Sequence, residues 1–293
     1  MPGIAYVGGR FVDEGAATVP LATRGLLFGE GLFETIPVRN GQPFRLVAHL
    51  DRMAAGAALL DLGFLVPLDE LAIAIAGVIE QNRIDQGLVK AVVAAGPAPG
   101  GPPIVAVLVP PPRPVPAAWR AAGAPVATSP VRHDAARLVP RTKATGALDR
   151  HRLAREADLL GAADVLLLDP GGHVAEGARS SIFWVRHGRL RTPSLDLGIL
   201  PGITRAAALE CARAAAIPVE EGRFDLADLA SATEAFLTNV RFGVLPVGAV
   251  DGVARAAPGP VTIRLAVAYD KLVERETSPE GAAPHPAQER EGP

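Results

Sequence analysis

The sequence is poor in the residues that would mark several protein classes. Among its 293 residues cysteine occurs once, as Cys211, so no intrachain disulfide can form. Lysine is scarce beside arginine: only Lys90, Lys143 and Lys271 occur. The formal net charge is −2 and no basic stripe stands out, which argues against a nucleic-acid partner. His49, His133, His151, His173, His187 and His285 are scattered without ligand spacing, so no metal is expected. GxSxG, P-loop and GxGxxG patterns are all missing. No stretch of about eighteen apolar residues is free of charge and proline, so no membrane span is expected. MPGIAYVGGRFVDEG has no charged stretch leading into an apolar run, so no signal peptide is expected either. These lacks together suggest a soluble, cytoplasmic protein.

What is abundant is apolar surface, at 49% hydrophobic residues, enough for one large domain or two modest ones with a real core. GLFETIPVRNGQPFRL reads as a hairpin around Asn40-Gly41, a strong tight-turn dipeptide. His49 to Leu62 reads as a helix with Leu50, Met53, Ala54 and Ala57 on one face, and Leu68 to Asn82 as a second. LVKAVVAAG and IVAVLVP are β-rich. The Pro/Gly segments GPAPGGPP and PPPRPVP mark an interdomain connection near 96–116. That places a small N-terminal α/β domain at 1–115 and a larger domain at 116–276. Residues 277–293 are polar and Pro-rich and read as a disordered tail.

In the second part, Ala147 to Leu160 reads as a helix. DVLLLDPGGHVAEG and SIFWVRHGRLRTP read as strand–turn–strand units, turning at Gly171-Gly172 and His187-Gly188. LPGITRAAALECARAAA is a loop opening into a helix, EAFLTNVRFGVLPVGAV two short strands, and Thr262 to Glu276 a last amphipathic helix.

Four features can carry chemistry, each with a plainer reading beside it. Lys143 stands where a strand meets a helix and can point into a cleft, or it is an ordinary surface lysine; Lys271 sits on a charged helix face, and Lys90 in an apolar strand run. Gly202, Ile203 and Thr204 open a helix whose free N–H groups can cradle a phosphate, or Thr204 simply caps it. Arg52, one turn after His49, offers a planar guanidinium to a phosphate, or pairs at the surface with Asp51 or Asp61. Glu176 can face a pyridine nitrogen and make that ring an electron sink, or end a strand at the surface.

Taken in order, four segments resemble the class IV pyridoxal phosphate (PLP) enzymes. These include branched-chain aminotransferases, D-amino-acid aminotransferases and 4-amino-4-deoxychorismate lyases. The segments are RGLLFGEGLFETIPVRNGQPFRLVAHLDRM, RTKATGALDRHRLAREADLLGAADVLLLDPGGHVAEGARSSIFWV, LRTPSLDLGILPGITR and ATEAFLTNVRFGVLPV. The resemblance covers roughly residues 3 to 275. It implies the mixed α/β (α+β) fold of fold type IV, with a smaller N-terminal domain, a larger C-terminal domain with a barrel-like sheet, PLP between them, and a homodimer as the usual unit. It implies that Lys143 forms the Schiff base and that Glu176 meets the pyridine nitrogen. Arg52, Ile203 and Thr204 then bind the phosphate, with Asn239, Val240 and Arg241 as a second phosphate loop. Backbone N–H groups of that loop, at Val240 and Arg241, also meet a substrate carboxylate. Phe28 and Phe33 match aromatic positions at the substrate pocket.

Departures from the family pattern narrow the reading. Val240 stands where Thr or Ser is frequent, Ser181 where Asn is frequent, and Leu148 near a Tyr of branched-chain enzymes. Only Tyr6 and Tyr269 occur, neither in a pocket motif. AAGPAPGG lacks the Ser/Thr-Arg-Gly seen in related chains, and the Asn239 to Val247 stretch looks closer to the lyases. Three functions follow as expectations: transfer of an amino group between an amino acid and a 2-oxo acid, with 2-oxoglutarate or pyruvate as acceptor; aminodeoxychorismate cleavage to 4-aminobenzoate and pyruvate; or non-catalytic PLP binding, against which retention of Lys143 and Glu176 speaks.

Overall fold

Two sheets organise the chain, and the computed structural model describes residues 3–63, 66–136 and 141–278 of it. The first sheet is built from β1 (Ile4–Val7), β2 (Arg10–Asp13), β3 (Gly31–Arg39), β4 (Gln42–Pro43), β5 (Gly87–Ala94) and β6 (Ile104–Leu108). Its order is β2-β1-β6-β5-β3-β4, with every neighbouring pair antiparallel. A short helix α1 (Arg24–Phe28) precedes β3. The β3–β4 hairpin turns at Asn40 and Gly41, whose φ values of 51° and 69° are what a type I′ turn requires.

Helices α2 (Leu46–Leu59) and α3 (Leu68–Gln81) cover one face of this sheet. Their buried residues recur at helical spacing: Leu50, Met53 and Ala57 on α2, and Leu71, Ala74, Ile75 and Val78 on α3. They meet Leu32, Ile36 and Val38, which alternate along β3.

The second part runs α4 (Ala117–Ala122), β7 (Ala124–Arg132), α5 (Leu148–Leu159), β8 (Asp164–Leu168), β9 (Val174–Gly177), β10 (Ser181–Arg186), β11 (Arg189–Pro193), α6 (Ile203–Ala214), β12 (Val219–Gly222), α7 (Leu226–Ala230), β13 (Glu234–Asn239), β14 (Gly243–Val250), β15 (Val253–Ala254) and α8 (Pro260–Thr277). Its strands form a nine-stranded sheet of order β12-β11-β10-β13-β14-β7-β8-β9, with β15 on β14. Its strands β8, β9, β10, β13 and most of β14 are buried on both faces, which is why β8 and the middle of β10 read as continuous apolar runs rather than alternating ones. Phe183, Val185 and Phe236 pack against α6 and α8, while Ile182, Trp184 and Leu237 point into the opposite core. Cys211 is a buried thiol on α6.

The Pro/Gly segments behave differently from one another. GPAPGGPP, residues 96–103, joins the adjacent strands β5 and β6 within one sheet, so it is a hairpin loop and not a connection between the halves. Only the strap after β6, residues 109–116, passes from one sheet to the other. Helix α8 continues through Thr277, beyond the expected end of the ordered chain, and the expected disordered tail from 279 onward lies outside the described residues. No helix among the described residues is long and apolar enough to cross a membrane.

Candidate active site

A cavity of about 350 Å³ opens where the two sheets face each other. Strand alternation supplies its first wall. Phe33 and Thr35 of β3 line the cavity, while Leu32, Glu34 and Ile36 turn to the opposite, helix-covered face. The segment carrying Lys143 runs antiparallel to the start of β3. The Phe33 N–H donates to the Lys143 carbonyl (2.9 Å), the Thr145 N–H donates to the Gly31 carbonyl (2.8 Å), and Leu32 bridges Ala144. Gly29 allows this approach: its φ is 70°, and a Cβ there would lie 2.5 Å from the Gly146 Cα.

Lys143 Nζ sits 4.6 Å from the centre of the Phe33 ring, and Lys90 Nζ is equally far from the same ring. Lys143 keeps some surface open to the cavity, yet protein surrounds the amine. That burial, offset in part by Glu34 and reinforced by Arg52, Arg150 and Lys90, brings the amine down to about 8. Burial also lowers the half-buried Lys90 amine, while Lys271 is exposed on α8.

Glu34 is the residue that sequence reasoning missed. It is 1% exposed, on the apolar face of β3. Arg52 grips it with two bonds, Nε to Oε1 at 2.8 Å and Nη2 to Oε2 at 2.6 Å, and His49 Nδ1 lies 2.7 Å from Oε2. Burial alone would raise the Glu34 carboxyl, but the bonds from His49 and Arg52 outweigh it and hold Glu34 at about 2. His49, fully buried, is pushed down by burial against the pull of Glu34. Arg52 therefore pairs with Glu34, not with Asp51 or Asp61, and its Nη1 donates to the Pro201 carbonyl at 2.9 Å, just before α6. The available signal was register: a carboxylate in phase with Leu32 and Ile36 must find a cation across the core.

The N-terminus of α6 forms the next wall. Its N-cap is Gly202, which has no side chain to satisfy the first-turn donors; Thr204 lies inside the first turn and is not the cap. A Cβ on Gly202 would meet the Ser181 Oγ at 3.1 Å, a tight contact that the bare glycine avoids. Ile203, Thr204, Asn239, Val240 and Arg241 all line the cavity, and so does Ser181. Thr238 lines it too, and its buried Oγ1 has no hydrogen-bond partner within the protein.

Glu176 is buried at the end of β9. Its Oε1 accepts from Arg150 Nη2 at 2.5 Å and its Oε2 from the Leu200 N–H at 3.2 Å, with His133 Nδ1 3.7 Å from Oε1. Arg150 and His133 carried no sequence signal: Arg150 lies in a charged helical stretch, and His133 is one of six scattered histidines. Phe28 is not brought to the cavity. It ends α1 at 64% exposure, with Arg24 stacked 5.0 Å from its ring, because the left-handed Gly29 turns the chain away before β3 begins. Leu148 is likewise exposed, and neither tyrosine lines the cavity.

Residues 31–250 match the family model for amino-transferase class IV. The chain is 32% identical over 270 residues to the D-alanine aminotransferase of Listeria monocytogenes, covering 88% of this chain and 92% of that one. It is 28% identical over 279 residues to the aminodeoxychorismate lyase of Bacillus subtilis, with 92% and 94% covered. Among solved structures it is similar to a T.th. branched-chain amino acid aminotransferase with pyridoxamine 5′-phosphate, at a TM-score of 0.86 and 28% identity, covering 96% of this chain and 97% of that one. The fold is thus that of fold type IV, and the cofactor of these enzymes, PLP, fits the cavity's own chemistry. A buried amine, a bare helix N-terminus beside an arginine, an orphaned threonine hydroxyl and a buried carboxylate surround one space of suitable size. A non-catalytic role is set aside, since the relatives are enzymes. The chain belongs to the class IV aminotransferases, enzymes that use pyridoxal phosphate.

Proposed function

We propose that this enzyme transfers an amino group between an amino acid and a 2-oxo acid, with 2-oxoglutarate or pyruvate as acceptor. The observation that carries the reading is the placement of the Lys143 amine, which lines the cavity 4.6 Å from the centre of the Phe33 ring, where burial lowers it to about 8. An amine so tuned is free often enough near neutral pH to take a proton from carbon and return it. Bound PLP supplies an aldehyde that takes up the amino group and a ring that accepts the electrons left by the departing proton. Glu176 would hold a proton at the ring nitrogen. Arg52 and the N–H groups of Ile203 and Thr204 would bind the phosphate, and Phe33 walls the cavity beside Lys143.

Aminodeoxychorismate cleavage is the second reading. It is favoured by the Asn239, Gly243, Val244, Pro246 and Val247 pattern and by a cavity without tyrosine. The deciding assay gives purified enzyme aminodeoxychorismate in one arm. The other arm gives L- and D-amino acids with 2-oxoglutarate or pyruvate. Formation of glutamate or alanine supports transfer, 4-aminobenzoate with pyruvate supports the lyase, and no product in either arm sinks both.

Three further outcomes are expected. Uptake of PLP by the apoprotein requires the unprotonated amine, so its rate should rise with pH and be half-maximal at about 8; a midpoint at the ordinary lysine value of 10.5 would show that Lys143 is not the group being titrated. Arg52→Ala should weaken PLP retention by about 1.5–3 kcal/mol, the scale of a charge-assisted hydrogen bond, and retention at the wild-type level in equilibrium dialysis would remove Arg52 from the phosphate site. Glu176→Gln keeps the shape but removes the charge that holds the ring proton. Exchange of the substrate α-proton should slow by about a hundredfold, or roughly 2.7 kcal/mol, with the cofactor still bound. Exchange at the wild-type rate would make Glu176 a structural carboxylate.

A further inference from the structure

We propose that Arg150 governs the ring end of the site: its guanidinium fixes Glu176 in the cavity wall as a charged acceptor and so keeps a proton on the cofactor's ring nitrogen rather than on Glu176. The inference rests on the reading that Glu176 meets that nitrogen. Arg150 is a positioning residue, because it acts through Glu176.

The geometry is that of a clip. Arg150 stands in the first turn of α5, and its side chain, 23% exposed, lines the cavity. Nη2 donates to Glu176 Oε1 at 2.5 Å, and Nη1 donates to the carbonyls of Gly177 at 3.2 Å and Ala178 at 3.4 Å. One planar fork therefore spans the carboxylate and the main chain of the turn that follows it. The same turn is tied to β8 as well. Asp164, buried at the start of β8, accepts from the Arg179 N–H at 3.0 Å and from the Ser180 hydroxyl at 2.6 Å. The Ala178 N–H donates to the Val165 carbonyl at 3.0 Å. Gly177 leaves room for this, since a Cβ there would lie 2.4 Å from Asp164 Oδ2. The turn between β9 and β10 is thus held by both β8 and α5, and the orientation of Glu176 is settled by the fold.

Glu176 keeps capacity for one more donor. Among the described residues its polar neighbours are Arg150 on Oε1, the Leu200 N–H on Oε2 at 3.2 Å, and His133 Nδ1 3.7 Å from Oε1. His133 Nε2 lies 2.9 Å from the Leu197 carbonyl, which only accepts. Nε2 therefore carries the imidazole proton, and Nδ1 of the neutral ring has none to give to Glu176. Arg150 is then the standing cation on the carboxylate. Each carboxylate oxygen has two lone pairs, so a ring N–H still finds an acceptor. The pair with the ring has two forms, a carboxylate facing a protonated nitrogen or a carboxylic acid facing a neutral one. Burial alone favours the uncharged form. A cation bonded directly to the carboxylate lies closer to it than to a nitrogen bonded beyond it, so its attraction outweighs its repulsion and the charged form wins. The charge of Arg150 is felt within the cavity: behind burial and Arg52, and against Glu34, it pushes the Lys143 amine down.

The test reads the ring rather than turnover. The protein is loaded with PLP isotopically labelled at the ring nitrogen, and the nitrogen signal is recorded by NMR. Arg150→Gln can still donate to the turn carbonyls but carries no charge, whereas Arg150→Lys keeps the charge. In Arg150→Gln the signal should move toward that of the unprotonated ring, as it should in Glu176→Gln. In Arg150→Lys it should stay near the wild-type position. Exchange of the substrate α-proton should slow at least about tenfold in Arg150→Gln. The double variant of Arg150→Gln and Glu176→Gln should be no slower than Glu176→Gln alone, since one residue acts through the other. Melting curves confirm that the variants fold. A ring signal unmoved in Arg150→Gln, a signal displaced as far in Arg150→Lys as in Arg150→Gln, or losses that add in the double variant overturns the proposal. The reading beneath it fails separately. If Glu176→Gln itself leaves the ring signal in place, Glu176 does not meet the nitrogen and both fall; a shift in Glu176→Gln without one in Arg150→Gln removes Arg150 alone.

Discussion

Lys143→Ala is expected to lower turnover by roughly a thousandfold, within the 10²–10⁴ that a positioned acid–base group contributes, and to abolish covalent attachment of the cofactor. The expectation follows from position. The Lys143 main chain is bonded to Phe33, its amine lies over the Phe33 ring at 4.6 Å, and its burial frees the amine near neutral pH. Lys90 is the internal control, because its amine lies at the same distance from the same ring but hangs from β5 and does not line the cavity. Borohydride reduction followed by peptide mapping should place the cofactor on Lys143. A label on Lys90 or Lys271, or wild-type turnover in Lys143→Ala, would reassign the attachment point.

Glu34→Gln should be the most destabilising single change near the site, at about 3–5 kcal/mol, because it removes one partner of a buried ion pair and leaves Arg52 uncompensated beside a neutral amide. The acid dependence carries the same sign. Glu34 is held at about 2 in the folded protein against an ordinary 4.5, so it contributes stability that is present above 4.5 and is lost as the pH falls toward about 2. A shift of that size corresponds to about 3 kcal/mol. Urea unfolding of the apoprotein at pH 7 and at pH 3 should show the difference between wild type and Glu34→Gln shrinking at the lower pH. A difference below about 1 kcal/mol at pH 7 would mean that the Glu34–Arg52–His49 group contributes no more than an ordinary surface contact.

The features legible in the sequence were the local ones. Asn40-Gly41 and His187-Gly188 announce their turns because both residues of each pair take positive φ. Strand β10 announces burial on both faces by its unbroken apolar run. Lys143, the proposed attachment point, and Gly202 stand in motifs whose order along the chain resembles the family's. What was not legible depends on which distant segment lies opposite. GPAPGGPP has the composition of a linker, and only the pairing of β5 with β6 makes it a hairpin loop. Arg52 offers no sign of its partners, since Glu34 sits 18 residues before it and Pro201 149 residues after it. Arg150, Arg113 and Arg179 resemble any solvated helix or loop arginine until the sheets bring them to one cavity. Phe28 matched an aromatic position by alignment of motifs, but the backbone turn at Gly29 decides where its ring goes.

The stitch between the Lys143 segment and β3 also ties the two layers of the molecule together. One layer supplies the Phe33 wall and the other the amine, yet they are joined by main-chain bonds on the cavity rim and again by Phe44, which belongs to the first layer and is buried in the core of the second against Tyr269. A hinge motion that parted the sheets would pull the amine away from its own wall and extract an aromatic plug from the far core. Parting the two sheets would therefore cost both the main-chain bonds at Lys143 and the burial of Phe44 against Tyr269.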